Sequence, residues 1–160
     1  MFSDVFKKDL AEAKAAEKIV LDTFSSLATG YTFTDVSADS SCYYRGDIKA
    51  VAADGTEIFI EVKNDNRIAD TGRILCEEEV YYYENDYYSK GNMSCNSDYF
   101  CIVSQSERRI YVLDFKKLKE IYKRYGEYKI IKHAFQESYV YLLDLCWAKS
   151  KGALIHKITY

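Results

Sequence analysis

The 160-residue sequence predicts an α/β fold: a central mixed β-sheet with a long N-terminal helix on one side and a lysine-rich helix covering another face. Three observations carry that expectation. A helix-period apolar stripe runs up to Gly30, two apolar-rich runs flank Asp54-Gly55, and strand-like runs in the second half enclose one basic helical segment. The length suits one domain, residues 1–160, able to bury a core without disulfides or structural metal.

The first helix is expected from about Ser3 or Asp4, either of which can cap it, to about Leu27, with Gly30 past its end. Its stripe reads Phe6, Leu10, Ala13, Val20, Phe24 and Leu27, and the position that completes the spacing is Glu17. A carboxylate there is costly unless it is paired, hydrogen-bonded or near a metal. The other reading is a stripe-edge glutamate that reaches solvent. From Tyr31 to Tyr44 the chain is polar and serine-rich, so a loop is expected, with one short strand near Tyr31–Phe33. Asp35 and Asp39 lie in it, and loop aspartates of this kind ordinarily make turns.

Gly46 to Lys63 reads as a β-hairpin, with Asp47–Ala53 and Glu57–Lys63 as its strands and Asp54-Gly55 as the turn signal. Alternation puts Glu61 and Lys63 on one face, roughly 6–7 Å apart. A two-residue turn would pair Ala53 with Thr56, hence Asp47 with Val62, and send Asp47 away from Glu61. A three-residue connection with a bulge, expected to set Asp47 opposite Lys63, or a place for Asp47 just outside the ladder, would align the three groups. One of these irregularities is therefore predicted.

Asn64 to Gly72 is a turn-rich connection into a third strand, Arg73 to Glu77, with Glu77 at or near its end. Tyr81-Tyr82-Tyr83 and Tyr87-Tyr88 either stack on bases or pack at a core edge or subunit interface. Ser89–Ser97 reads as a flexible loop able to close over a substrate. Asp98–Ser104 and Arg109–Leu113 are expected strands, and Asp114 caps a helix from Phe115 to Tyr125 that Gly126 ends. Leu118, Ile121, Tyr122 and Tyr125 form its inward face; Lys116, Lys117, Lys119, Lys123 and Arg124 make the opposite side basic, a solvated face or a seat for phosphates. Further strands are expected at Tyr128–Lys132 and Ser138–Leu143, with helical turns at Leu145–Lys151.

Asp47, followed after a hairpin-length gap by Glu61-x-Lys63, resembles the PD-(D/E)xK nuclease superfamily, which includes Holliday-junction resolvases, restriction enzymes and small phage nucleases. Gly46 stands where the family name has proline. Thr71, Gly72 and Glu77 are similar to a T-G-N-x-x-x-E run in phage and viral members, with Arg73 in place of the asparagine, and Ser97-Asp98-Tyr99-Phe100 resembles their A-D-Y-x. The resemblance spans roughly Glu17 to Ser104. It implies a restriction-endonuclease-like fold and a metal-dependent endonuclease, resolvase-like in acting on branched or single-stranded DNA, with dimerisation by analogy. Asp47 and Glu61 would hold Mg²⁺ or Mn²⁺ with the Val62 carbonyl as a third ligand, and Lys63 would position the attacking water. Glu17 would reach the metal through water, and Glu77 would stand behind these groups. The chemistry agrees, because a hard divalent cation binds oxygen, and can rest on as few as two carboxylates plus substrate phosphate. The alternative is a phage-type binding or inhibitory protein that keeps the fold without activity.

The net charge of −3 does not display the basic footprint usual for nucleic-acid binding. Cys42, Cys76, Cys95, Cys101 and Cys146 contain no C-x-x-C pair, which argues against a disulfide framework and a zinc knuckle and for a reduced, cytoplasmic setting. No apolar run is long enough for a membrane span, and Met1–Leu10 lacks a signal-peptide pattern. His133 and His156 are isolated, and neither G-x-S-x-G nor a glycine-rich phosphate loop occurs.

Overall fold

In the computed structural model, residues 4–160 are described, with side chains from Lys7 onward. The expected cap Ser3 and the side chains of Asp4 and Phe6 lie outside the described residues. Helix α1 (Asp4–Leu27) leads to β1 (Tyr31–Asp35), the hairpin of β2 (Ile48–Ala52) and β3 (Glu57–Asn64), and a short helix α2 (Arg67–Thr71). Next come β4 (Arg73–Tyr82), β5 (Tyr87–Lys90), β6 (Tyr99–Ser104), β7 (Arg109–Asp114) and α3 (Phe115–Tyr125). The chain closes with β8 (Glu127–Lys132), β9 (Gln136–Asp144), α4 (Leu145–Ser150) and β10 (Leu154–Thr159).

Two sheets result. The first is mixed and six-stranded, ordered β1-β2-β3-β6-β7-β10, with β3 and β6 parallel and the other neighbours antiparallel. The second is four-stranded and antiparallel, ordered β5-β4-β9-β8. Strand β6 is buried on both faces, which is why it reads as an unbroken apolar run. Its Cys101 and Val103 meet Ala16 and Val20 of α1 together with Ile48, Ile60, Ile110 and Val112. Its Phe100 and Ile102 face the other way, onto Phe115, Leu118 and Tyr122 of α3 and onto Ile74, Cys76 and Leu143 of the second sheet. Phe100 and Phe115 stack with ring centroids 5.2 Å apart.

The α/β class with a mixed sheet holds, but helices alone do not flank it. One face carries α1; the other is covered by the second sheet together with α3. The tyrosine-rich runs, expected to stack on bases or to pack at a core edge, form the end of β4 and the edge strand β5, with Tyr82, Tyr87 and Tyr88 exposed. Strand β4 continues past Glu77 to Tyr82, with a bulge between Glu77 and Glu79. The expected stripe of α1 holds in its middle, where Glu17 and Val20 are buried with Ala16 beside them and Phe24 packs on the core, while Leu10 and Leu27 are 51% and 64% exposed. Its middle turns lie over the sheet, and Leu10 and Leu27 fall to either side of that contact. Helix α3 matches expectation at both ends, with Asp114 Oδ1 accepting from Lys117 N at 3.0 Å. Among the described residues no helix is long and apolar enough to cross a membrane.

Candidate active site

The hairpin closes through the three residues Ala53-Asp54-Gly55: Ala52 N donates to Thr56 O at 2.9 Å, and Gly55 N to Ala52 O at 3.0 Å. Gly55 adopts φ +85°, and Asp54 Oδ1 accepts from Thr56 N at 2.9 Å, the geometry a three-residue turn requires. The ladder then runs from Val51↔Glu57 to Ile48↔Ile60. Extended by one position, this register puts Asp47 across from Glu61 and just outside the ladder. The expected partner, Lys63, is two residues off, because the extra turn residue comes from the β2 side.

Just before β2 begins, the Asp47 side chain takes over the strand's role. Its backbone N donates to Ile60 O at 2.9 Å, while its Oδ2 accepts from Val62 N at 2.8 Å, a bond that a further β2 residue would otherwise make. Gly46 makes this close approach possible. It sits at φ +133°, and a Cβ there would lie 2.7 Å from Ile60 O. Proline, with φ fixed near about −65°, does not fit this backbone.

Asp47, Glu61, Val62, Lys63 and Glu77 line one cleft of about 370 Å³. The β2–β3 hairpin forms one wall and β4 with residues 90–95 the other. Residues 89–97, expected to be a flexible loop, are instead tied to β4. Gly91 N donates to Glu78 O at 2.7 Å, Glu77 N donates to Asn92 Oδ1 at 3.0 Å, and Met93 is buried in the core. Glu77 thus sits at a mid-strand bulge and not at a strand end. Glu78, at the bulge, turns toward α3 and pairs with Lys123 at 2.8 Å.

Burial first, then the charge of Asp47, pushes the Glu61 carboxyl up to about 7; its hydrogen bond from Cys95 and the nearby Lys63 only partly oppose this. Asp47 is pushed up to about 6, again by burial first and by the charge of Glu17, against the Val62 N–H bond. Neither carboxylate forms a salt bridge among the described residues, and Lys63 makes neither a hydrogen bond nor an ion pair there. Two acids are held together without a cation in direct contact, which is a costly arrangement for the protein alone.

Glu17 is 8% exposed, so it does not reach solvent. It pairs with Lys14 Nζ at 2.7 Å and influences both Asp47 and Glu61 electrostatically, but it does not line the cleft. Lys14 also bonds Ser37, which does line the cleft. Sequence reasoning missed Lys14, since a lysine on a surface helix has no distinguishing spacing. It also missed Cys95, whose Sγ lies 3.2 Å from Glu61 Oε2, and the cleft-lining Tyr43, Tyr44 and Lys90. Asp35 and Asp39 serve turns, accepting from Ser37 N and Ser41 N at 2.9 Å each. Thr71 and Gly72 end α2, with Gly72 at φ +62°. Asp98 and Ser97 fasten the start of β6 to the hairpin region, through Phe59 N at 2.8 Å and Arg45 O at 2.7 Å.

The donor set is all oxygen: two carboxylates and the adjacent backbone, with Cys95 protonated because burial and Glu61 push its thiol up to about 12. Such a set fits a hard divalent cation that keeps several waters. Among the described residues no group of three or more His, Cys, Asp or Glu side chains is placed to hold a metal ion. Comparison with protein-family models, curated proteins and solved structures returns no match.

Proposed function

We propose that the protein is a metal-dependent endonuclease of restriction-endonuclease-like fold that hydrolyses DNA phosphodiester bonds. The observation that carries this reading is the convergence of Asp47, Glu61, Val62 and Lys63 on one cleft, with both acids desolvated and unpaired. Asp47 and Glu61 would hold Mg²⁺ or Mn²⁺ with the Val62 carbonyl. When bound, such an ion polarises the phosphoryl group and lowers the pKa of water. Lys63 donates from Nζ to a phosphate oxygen, steadies the charge that develops there and orients the attacking water. Glu17 acts from α1 through its charge on both carboxylates, and Glu77 closes the far side of the cleft. Val62 N–H holds Asp47 in place through Oδ2, so the carboxylate is positioned before substrate arrives.

The test is conversion of supercoiled plasmid to nicked and linear forms with Mn²⁺. Glu61→Ala and Lys63→Ala are each expected to lower the rate by about 100-fold or more, the scale of losing an electrostatic or acid–base group. Unchanged rates in both variants would remove the proposal. A phage-type binding or inhibitory protein is the second reading. The exposed tyrosines of β4 and β5 favour it, and an absence of any Mn²⁺ binding would select it.

A further inference from the structure

The cleft does not end at its carboxylates. Tyr43 and Tyr44 line it and are 72% and 55% exposed, their ring centroids 4.6 Å apart and nearly perpendicular. Tyr82 and Tyr87 lie on β4 and β5, the strands that carry the cleft-lining Glu77 and Lys90, and are direct cross-strand partners, so their rings share one face of the ribbon. Tyr87 is 59% exposed. Burial first, then the nearby Glu77, Tyr43 and Tyr87, push the Tyr82 phenol up, which puts it in the neighbourhood of both Glu77 and Tyr43 of the cleft lining.

We propose that this aromatic mouth receives an unpaired nucleic-acid strand, with Tyr43, Tyr44, Tyr82 and Tyr87 stacking bases on either side of the phosphate held at Asp47, Glu61 and Lys63. This rests on the phosphodiesterase reading and names its substrate class. Three features select an unpaired strand. Duplex recognition draws its affinity from many phosphate contacts, yet the net charge is −3 and the lysines lining the cleft are Lys63 and Lys90. Stacking needs few cations, because each ring offers a face to any base. The cleft volume, about 370 Å³, has room for a nucleotide-sized unit. A protein partner is disfavoured at this place, since the surface leads into a polar cavity whose acids call for a cation.

The experiment measures anisotropy of labelled single-stranded DNA, single-stranded RNA and a matched duplex in Ca²⁺, which takes oxygen ligands. Either single strand is expected to bind at least about tenfold more tightly than the duplex, with the DNA and RNA arms deciding which sugar is preferred. Tyr43→Ala/Tyr82→Ala should weaken that binding by about tenfold or more, as expected for lost base stacking. Tyr43→Phe/Tyr82→Phe, which keeps the rings, should retain it. Equal or tighter duplex binding, or undiminished binding by a folded double-alanine variant, overturns the inference. Mn²⁺-dependent cleavage of the plasmid and of the same single strands by the wild type, scored separately, distinguishes the two failures. If cleavage persists without a single-strand preference, only the substrate class falls; tyrosine-dependent binding without any metal-dependent cleavage removes the nuclease instead.

Discussion

Glu61 and Asp47 are placed where burial and neighbouring carboxylates oppose their ionisation, and this has a sign in the stability of the protein. In the unfolded chain they titrate near 4.5 and 3.8, and in the folded protein near about 7 and about 6. As pH rises through this window, the unfolded chain gives up these protons first, so stability from these groups is greatest below it and falls towards pH 7. A tenfold change in proton affinity is worth about 1.4 kcal/mol, so the two carboxyls weigh appreciably against the fold once both are ionised. Thermal melts without metal are therefore expected to show the wild type losing more stability than Glu61→Gln between about pH 4.5 and pH 8. Parallel pH profiles for the two proteins would contradict this placement of Glu61. Gly46 offers a second test on this scale. Gly46→Ala must move Ile60 or abandon φ +133°, and denaturant unfolding should show a loss of about 2 kcal/mol or more.

The hairpin and the bulged strand β4 between them build the cleft. The hairpin was legible because its information is local: Asp54-Gly55 sets the turn, and alternation sets which side chains share a face. Its register departs from expectation because Asp54 and Gly55 recruit the extra turn residue from β2. The wall opposite was not legible, because it depends on Gly91 meeting Glu77 across a strand pair. A Cβ at Gly91 would collide with the Glu77 carbonyl, so Gly91→Ala is expected to cost about 2 kcal/mol or more in denaturant unfolding and to weaken Mn²⁺ binding as the wall shifts. Stability equal to the wild type would show that residues 90–95 are not fastened as described. Outside the cleft lining, the cap of α3 is a local matter: Asp114→Ala should cost about 1 kcal/mol, measured the same way.

At the scale of the whole molecule, a mixed sheet is covered on one face by α1 and on the other by a second sheet and α3, and the cleft opens where the two sheets meet beside the hairpin. The mixed sheet could be anticipated from apolar runs such as Phe100–Val103, buried on both faces. The second sheet was legible in part: Arg73–Glu77, Tyr128–Lys132 and Ser138–Leu143 read as strands, whereas the tyrosines of β4 and β5 had no assigned element until Tyr88 is seen against Tyr81 and Tyr139, with ring centroids 4.6 and 6.2 Å apart. Likewise Glu17 was visible as an acid on an apolar stripe, whereas Lys14 and Cys95 enter the site only through tertiary packing. The proposed chemistry depends above all on Asp47 and Glu61 making one cation site. Calorimetric titration with Mn²⁺ near pH 8 measures it most directly. About one ion per chain is expected for the wild type and none of comparable affinity for Glu61→Gln; no binding by the wild type, or equal binding by the variant, would contradict it.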